Sequence, residues 1–431
     1  MTTLIKNVKL PERYGFGDKS VFVEVCDRVF GKIGCVLPRA EAEYDEVIDG
    51  KGNLLIPGLY NTHCHAAMTI FRGYGEDLPL DRWLNEKIFP AEDRLTEQAV
   101  RAGTGLAIAE MLANGIVSFS DMYMFEDMVS EIVLDTGIKA NLSRCIVSFD
   151  DSDPSVDRRF QESCDLLSAF HGAGDGRLLV DVSLHAEYTN TERMTRFIAD
   201  YAVEKGLGVQ VHISETEKEH RECMARRNGR TPVAFFRDCG LLDARTTAAH
   251  CVFVTDEDMD ILHEKRVFVA HNPVSNLKLG SGVMPLRKLL DRGVFVTLGT
   301  DGAASNNNLD VLKEMQYAVL LGKGISRAPE SILAGEILPM ATVNGALAQG
   351  REGCGEVKEG YRADAVLVDL DAPHMIPAYG YETALLYSAR GSDVQMTMVD
   401  GRVLYRNGSY TTIDIEKLKY EAKDVIKHYF D

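Results

Sequence analysis

The stretch LLIPGLYNTHCH, residues 54–65, decides the fold, because it is a short apolar run with strand character that ends in two histidines. Seven further runs of the same kind follow: GIVSFSDMY (115–123), KANLSRCIV (139–147), LLVDVSLH (178–185), GVQVHISE (208–215), TTAAHC (246–251), VFVAHNP (267–273) and FVTLGTDG (295–302). The segments between them carry apolar residues at helical spacing, as in residues 99–115 and 194–206. This alternation of strand and helix predicts an α/β fold, a (β/α)8 TIM barrel over residues 57–356.

A doubly wound parallel sheet is the alternative α/β fold for such a chain. It would have fewer strands and a glycine-rich phosphate-binding turn after the first of them. The motifs GxGxxG and GxxxxGK[ST] do not occur in the sequence, which favours the barrel.

The two ends of the chain show a different pattern. Residues 1–56 and 357–431 alternate apolar with polar positions and contain turn signals such as DG, NG and GKG. We predict that the two segments together form one small β-sandwich domain, with the barrel inserted between its halves. The last residues, EKLKYEAKDVIKHYF, predict a terminal amphipathic helix.

Composition and charge limit the classes of partner. The 431 residues include 47 Lys and Arg against 65 Asp and Glu, a net charge of −18 that argues against nucleic acid as a partner. No run of 18 apolar residues occurs, and the first residues carry charges, so we expect no membrane association. The nine cysteines are odd in number and never spaced as CxxC, which indicates free thiols and a cytoplasmic location.

Polar side chains, most of them histidines, stand at the carboxyl ends of the predicted barrel strands. They are His63, His65, His185, His212, Glu215 three residues further on, His250, His271 and Asp301. In a TIM barrel these strand ends meet at the mouth, where chemistry occurs. We therefore expect several of these side chains to converge on one pocket.

Two of these histidines have the spacing of metal ligands. His63 and His65 are two residues apart on a strand, so both imidazoles project to the same face, whereas Cys64 between them points away. An isolated HxH is more often a pair of structural residues, but here His212 and Asp301 stand at other strand ends. Three imidazole nitrogens and one carboxylate suit Zn²⁺, with Fe²⁺ or Mn²⁺ as substitutes, so we predict one divalent metal ion.

Longer motifs carry a resemblance to a known family. PGLYNTHCHAAMTIFRG, HISETEKEH, AAHC, HNPVSNLKLGSG and TLGTDGAASNNN resemble the amidohydrolase superfamily, and more narrowly its 5'-methylthioadenosine/S-adenosylhomocysteine deaminase branch. The resemblance covers nearly the whole chain and implies that His63, His65, His212 and Asp301 bind one metal. Two-metal members carry a lysine at the end of strand 4, where this chain has His185, and this departure supports a mononuclear site.

The resemblance also implies a reaction, hydrolytic deamination of an adenosine-type nucleoside to its 6-oxo product and ammonia. Glu215 would accept the proton of the attacking water and pass it to a ring nitrogen of the substrate. An imidazole near that water, His250, would orient it and stabilise the developing oxyanion. Asp301 would combine metal ligation with proton transfer to the leaving amine.

Substrate recognition rests on the same resemblance. Glu92 would accept hydrogen bonds from both ribose hydroxyls, His185 would hold the purine edge, and Arg144 would meet the carboxylate of a homocysteine tail. A second such arginine is expected, and Arg158 and Arg159 are equal candidates for it. Trp83, the only tryptophan, is either core packing or a wall for the 5' side of the nucleoside. Adenosine, 5'-deoxyadenosine, methylthioadenosine and S-adenosylhomocysteine all remain candidate substrates.

Three other readings stay open. A deaminase or dechlorinase of another heterocycle, such as guanine or an s-triazine, would use the same metal ligands but would leave Glu92 without a ribose diol. A non-catalytic barrel is disfavoured because Glu215 and His250 accompany all four predicted ligands. A (β/α)8 isomerase that needs no nucleotide is the fourth option. The resemblance implies a homo-oligomer.

Overall fold

A computed structural model gives the structure of residues 1–430, with side chains through Tyr429. The strands, numbered in chain order, are β1 (Thr2–Val8), β2 (Val21–Cys26), β3 (Val29–Gly34), β4 (Glu46–Asp49), β5 (Leu54–Pro57), β6 (Leu59–Cys64), β7 (Ile116–Tyr123), β8 (Lys139–Ile146), β9 (Leu178–Val180), β10 (Val182–Leu184), β11 (Gly208–Ile213), β12 (Arg245–His250), β13 (Phe268–His271), β14 (Phe295–Leu298), β15 (Ala365–Val368), β16 (Val394–Val399), β17 (Arg402–Arg406) and β18 (Ser409–Tyr410).

Most of the helices surround the parallel strands, and the last helix lies at the carboxyl end of the chain. They are α1 (Leu80–Trp83), α2 (Phe89–Glu92), α3 (Glu97–Ala113), α4 (Glu126–Thr136), α5 (Arg158–Phe170), α6 (Ala173–Gly176), α7 (Glu192–Lys205), α8 (Glu217–Arg226), α9 (Pro232–Asp238), α10 (Asp256–Glu264), α11 (Pro273–Lys278), α12 (Leu286–Asp291), α13 (Ala303–Asn306), α14 (Val311–Ser326), α15 (Ala334–Ala341), α16 (Val343–Ala348), α17 (Tyr381–Tyr387) and α18 (Ile415–Phe430). Within residues 1–430, no helix is both long and apolar enough to cross a membrane.

The parallel strands form the predicted barrel. They are hydrogen-bonded in the order β6, β7, β8, β10, β11, β12, β13 and β14, with β9 added beside β8. Side chains join the first strand to the last, because Thr62 Oγ1 lies 2.7 Å from Thr297 Oγ1 and Asn61 Nδ2 donates to Thr300 Oγ1 at 2.7 Å. The α/β barrel predicted from the sequence is confirmed.

The deciding stretch, residues 54–65, divides into two strands rather than one. β5 pairs antiparallel with β15 of the terminal sheet, and β6 pairs parallel with β7 of the barrel. The division falls at Gly58, where a Cβ atom would lie 2.5 Å from the methyl groups of Val117. Only glycine lets the backbone pass this close to β7 and change sheets.

Strands from both ends of the chain form two further sheets, which are antiparallel except that β4 pairs parallel with β1. One has the order β3, β2, β1, β4, and the other has the order β18, β17, β16, β15, β5. Their inner faces share an apolar core that includes Val23, Phe30, Leu55 and Met398. The boundaries predicted for this sandwich, 1–56 with 357–431, and for the barrel, 57–356, stay a prediction.

A buried lysine ties the amino end of the barrel to the sandwich. Lys139, the first residue of β8, places its Nζ atom 2.6 Å from Asp364 Oδ2 and 2.7 Å from Asp400 Oδ1. Tyr60 donates a further hydrogen bond of 2.9 Å to Asp364. All of these side chains are buried, and Arg362 Nε lies 3.3 Å from Asp400 Oδ1, so the lysine is the cation shared by both carboxylates and the arginine assists one of them.

We expect Lys139→Met to lower the free energy of unfolding by about 3–5 kcal/mol, because it leaves two carboxylates buried without their ammonium partner. Urea unfolding followed by circular dichroism would measure the change. The matched control is Lys205→Met, since Lys205 is exposed and pairs only with the adjacent Glu204. That control should stay within about 0.5 kcal/mol of the parent, and equal stability of both variants would contradict the prediction.

Candidate active site

Histidines from separate strands meet at the carboxyl end of the barrel. The ring centroid of His63 lies 4.9 Å from that of His65, 4.8 Å from that of His212 and 5.4 Å from that of His250. Asp301 follows β14 and places Oδ1 3.5 Å from His63 Nε2 and 3.3 Å from His65 Nε2. The strand order brings them together, because β6, β11, β12 and β14 all end at this mouth.

This cluster fits a divalent cation. The ligand atoms of His63, His65 and Asp301 lie within 4.8 Å of one another, as do those of His63, His212 and His250. His63 Nε2 is buried and has no hydrogen-bond partner within residues 1–430. Burial lowers the pKa of His63 to about 4 and that of His212 well below its ordinary value. Both imidazoles are therefore neutral at pH 7 and can offer lone pairs to a metal.

Backbone carbonyls fix the orientation of two of these rings. His65 Nδ1 donates to the carbonyl oxygen of Met122 at 2.9 Å, and His212 Nδ1 donates to that of His185 at 2.7 Å. Each bond places the ring proton on Nδ1 and leaves Nε2 as the free acceptor facing the centre. Histidines that bind metals commonly donate the proton of their other ring nitrogen to an acceptor of this kind.

Asp301 is held by its surroundings. Its backbone is left-handed, with φ of 60°, and its amide donates to the His63 carbonyl at 2.9 Å. The hydroxyls of Ser275 and Ser305 donate to Oδ2 at 2.6 and 3.0 Å. Burial works to raise the pKa of Asp301, but the neighbouring imidazoles of His63 and His65 outweigh it and lower the pKa well below the ordinary value. The carboxylate is thus ionised and aimed at the histidines.

His250 differs from the other histidines of the cluster. Its Nδ1 accepts hydrogen bonds from the side-chain amides of Asn276, at 2.9 Å, and Asn272, at 3.3 Å. In the neutral ring the proton is then on Nε2, which lies 3.7 Å from Glu215 Oε2. His250 is consequently arranged as a hydrogen-bond donor to the site rather than as a metal ligand.

Glu215 sits beside this donor, just past the end of β11. Ser214 adopts a left-handed backbone, φ 50°, and Glu219 accepts the amides of Ser214 and Glu215 at 2.9 and 2.7 Å. The turn aims the Glu215 carboxylate at the cluster, where Ser281 Oγ donates to Oε1 at 3.1 Å. Burial, with repulsion from Asp301, raises the pKa of Glu215 to about 8. A carboxyl group of this kind can exchange a proton near neutral pH.

A cavity of about 490 Å³ opens onto the cluster. The predicted site residues that line it are His65, Trp83, Glu92, Arg144, His185, His212, Glu215, His250 and Asp301, while His63 lies beneath. Arg159 also lines the cavity, whereas the side chain of Arg158 is 86% exposed. A larger cavity of about 810 Å³ lies at the amino end of the barrel, away from all of these residues.

Glu92 and His185 have well-defined partners in this cavity. Tyr123, the last residue of β7, donates to Glu92 Oε1 at 2.6 Å, and burial raises the pKa of Glu92 to about 7. His185 Nδ1 lies 3.2 Å from Thr189 Oγ1, and burial lowers the pKa of His185 to about 4. Trp83 is buried and lines the cavity, so it packs in the core, and its role as a wall for the 5' side of the nucleoside stays a prediction.

Several contributors to the site were missed from the sequence. Tyr123 stands at a strand end, which is a usable signal for a side chain facing the mouth. The others lie in loops and helices and have no spacing that marks a site: Glu219 and Ser305, four residues after Glu215 and Asp301, and Asn276, Ser275 and Ser281 from more distant parts of the chain.

Comparison with known proteins agrees with this geometry. Residues 54–404 match the amidohydrolase family. A 5-methylthioadenosine/S-adenosylhomocysteine deaminase from Dictyoglomus thermophilum is 45% identical over 88% of this chain and 88% of its own length. A 5'-deoxyadenosine deaminase from Methanosarcina acetivorans is 42% identical over 91% of this chain and 90% of its own.

A solved structure shows the same architecture. The adenosine deaminase from Xanthomonas campestris with bound zinc is 29% identical and has a TM-score of 0.91, covering 99% of this chain and 98% of that one. The resemblance inferred from the motifs is therefore confirmed. This chain belongs to the amidohydrolase family, on the branch that includes the 5-methylthioadenosine/S-adenosylhomocysteine deaminases.

Proposed function

We propose that this protein hydrolyses the C6 amino group of adenosine-type nucleosides, releasing ammonia and the 6-oxo product. One observation carries the proposal: the predicted metal ligands share a cavity with a buried proton carrier, Glu215, and a hydrogen-bond donor, His250. The same cavity contains Glu92, which is suited to binding a ribose diol. The names of the relatives, which are deaminases of methylthioadenosine, S-adenosylhomocysteine or 5'-deoxyadenosine, support the same reaction. The free cysteines support a cytoplasmic location, and we expect a homo-oligomer.

The metal ion in this proposal is Zn²⁺, held by His63, His65, His212 and Asp301. Three nitrogen donors and one carboxylate form a set that zinc accepts, and a zinc-bound structure of similar fold supports the choice. A bound divalent cation would supply Lewis acidity that lowers the pKa of a water molecule to near neutrality. His250 stays outside this ligand set because its protonated Nε2 has no free lone pair.

The residues of the chain then move the protons. Glu215 takes one proton from the attacking water on its carboxylate and delivers it to the purine N1 atom. His250 donates its Nε2 proton in a hydrogen bond to the oxygen as that oxygen becomes negative. Asp301 takes the remaining proton from that oxygen and passes it to the departing nitrogen, so the C6–N bond breaks with ammonia as the leaving group, N1 keeps the first proton and C6 keeps the oxygen as a carbonyl.

Other residues would position the nucleoside. Glu92 would accept hydrogen bonds from the 2' and 3' hydroxyls, with Tyr123 fixing one of its oxygens from behind. His185 would contact the purine edge, and Trp83 would cover the 5' side. Arg144 and Arg159 would face the 5' substituent, because both line the cavity whereas Arg158 points to solvent.

We expect Glu92→Gln to lower kcat/KM for adenosine by about 10–100-fold, since hydrogen bonds to a charged acceptor contribute about 1.5–3 kcal/mol. The internal control is 2',3'-dideoxyadenosine, which lacks both hydroxyls and should lose less than about threefold. Steady-state kinetics with both nucleosides would measure the two losses. Equal losses would remove Glu92 from ribose recognition.

The proposal as a whole is tested by ammonia release from the zinc-loaded protein. The panel is adenosine, 5'-deoxyadenosine, methylthioadenosine, S-adenosylhomocysteine, guanine and an aminotriazine. Turnover of the nucleosides alone is the expected result. Turnover of guanine or the triazine alone would keep the metal site but discard the nucleoside assignment, and no turnover of any compound would discard the reaction.

A further inference from the structure

The arginine that faces the 5' side of the cavity already has an acidic partner in the protein. Arg144 Nε donates to Glu162 Oε2 at 2.6 Å, and Arg144 Nη1 donates to the carbonyl oxygen of Cys145 at 2.7 Å. Within residues 1–430, Nη2 is the guanidinium nitrogen that makes no hydrogen bond to the protein. The guanidinium that Arg144 presents to the cavity is therefore partly neutralised by Glu162, and two of its three nitrogens already donate hydrogen bonds.

Glu162 is held in place by a second arginine. It lies in the second turn of α5, where Arg158 Nε donates to Oε1 at 2.9 Å while Arg144 occupies Oε2. Burial works to raise the pKa of Glu162, but the hydrogen bond and charge of Arg144, together with Arg158, outweigh it and lower the pKa. The carboxylate is thus ionised at neutral pH, and it is 37% exposed without lining the cavity itself.

The position of Arg144 relates it to the ribose end of the cavity. Arg144 on β8 is the direct neighbour of Tyr123 on β7, and Tyr123 bonds Glu92. A nucleoside held by Glu92 through its ribose diol would therefore direct its 5' substituent towards the Arg144 side. The Glu215 and Asp301 end remains for the purine ring.

The wall of the cavity carries apolar side chains beside the second arginine, Arg159. Leu84, Phe89, Val147 and Phe149 all line it, and Phe149 is 78% exposed to solvent. An exposed aromatic ring at the mouth of a cavity gains from contact with an apolar group of a ligand. These apolar side chains offer a methyl or methylthio substituent a surface to contact, while Arg159 keeps part of the wall charged.

We propose that Glu162 is a specificity residue, which selects against anionic 5' substituents because it pairs with Arg144 before a substrate binds. The inference rests on the proposed deaminase function and states a preference within its substrate class, for nucleosides with an uncharged 5' group such as 5'-deoxyadenosine and methylthioadenosine over S-adenosylhomocysteine. A substrate carboxylate approaching Arg144 meets a guanidinium whose charge Glu162 already offsets. Glu162 acts through Arg144, so it is a positioning residue and not a catalytic one.

The test compares two thioethers that differ by one carboxylate. The neutral probe is methylthioadenosine, and the anionic probe is 5'-(carboxymethylthio)-5'-deoxyadenosine. We expect Glu162→Gln to raise the ratio of kcat/KM for the anionic probe over the neutral one by about fivefold or more, because glutamine keeps the acceptor for Nε but removes the charge. A change in overall folding or activity would move both probes together and leave this ratio unchanged.

The control variant is Glu192→Gln. Glu192 also has a side chain 37% exposed and pairs with an arginine four residues away, Arg196, but that arginine does not line the cavity. Its ratio should stay within about twofold of the parent. In an Arg144→Met background, Glu162→Gln should no longer change the ratio, since the residue through which it acts is gone.

The outcomes separate this inference from the proposed function. An unchanged ratio in Glu162→Gln, with both probes still deaminated, overturns the role of Glu162 and leaves the deaminase intact. An equal rise of the ratio in the Arg144→Met background would mean that Glu162→Gln acts through the overall charge of the protein. That result would also overturn the role of Glu162. Failure of the parent protein to release ammonia from either probe would contradict the proposed function itself.

Discussion

Glu215→Gln is expected to lower kcat for adenosine-type substrates by about 10²–10⁴-fold while the bound metal stays at the parent level. The amide has nearly the shape of the carboxylate and can still accept from Ser281, so the turn after β11 should remain intact. It cannot take a proton from water and return it to the ring, which is the step assigned to this residue. Single-turnover kinetics and metal analysis by mass spectrometry would measure both quantities.

Glu217→Gln is the matched control for this substitution. Glu217 is two residues further on, exposed, and paired with Arg221 on α8. Its kcat should stay within about twofold of the parent. Full activity in Glu215→Gln would remove that residue from the mechanism, and loss of metal would mean that it supports the ligand set instead.

His63→Ala is expected to lose the metal and the activity together, with turnover reduced by about 10³-fold or more. His63 is the member shared by both groups of ligand atoms, and its Nε2 has no hydrogen-bond partner within residues 1–430. Metal content of the purified variant is the direct measurement. Added zinc should raise the Tm of the parent but not that of His63→Ala, because only a protein that binds the ion is stabilised by it.

His263→Ala controls for the loss of a histidine as such. His263 lies on α10 and contacts only the Gly293 carbonyl at 3.2 Å, far from the cluster. It should retain the metal and full turnover. A metal-replete His63→Ala variant would show that the ligand set is wrong, whatever its activity.

The barrel and its convergent histidines were predictable because both follow from strand periodicity. Each strand end carries its polar residue next to the apolar run, and parallel strands bring all such ends to one mouth. The change of sheet at Gly58 was not predictable in the same way, because strand propensity marks residues 54–65 as one candidate strand and the crossing between sheets depends on contact with Val117. Sequence pattern reports the burial of a strand but not the sheet to which it belongs.

The partners of the site residues were hidden for a different reason. The Asn276 amide that sets the proton of His250 comes from α11, and Glu162, which pairs with Arg144, comes from α5. Neither contact has a local spacing rule, because each joins residues from different elements. The sequence could not decide between Arg158 and Arg159 either, because adjacent residues of a helix differ only in the direction in which their side chains point.

The pairing of β5 with β15 has a consequence for the nascent chain during synthesis. β5 leaves the ribosome about 300 residues ahead of its partner, a delay of roughly 15–60 s at about 5–20 residues per second. During that interval β1 to β5 display apolar faces and unpaired edges, which attract both chaperones and other nascent chains. We therefore expect the yield of folded protein to depend on translation speed and chaperone supply as well as on the stability of the finished molecule.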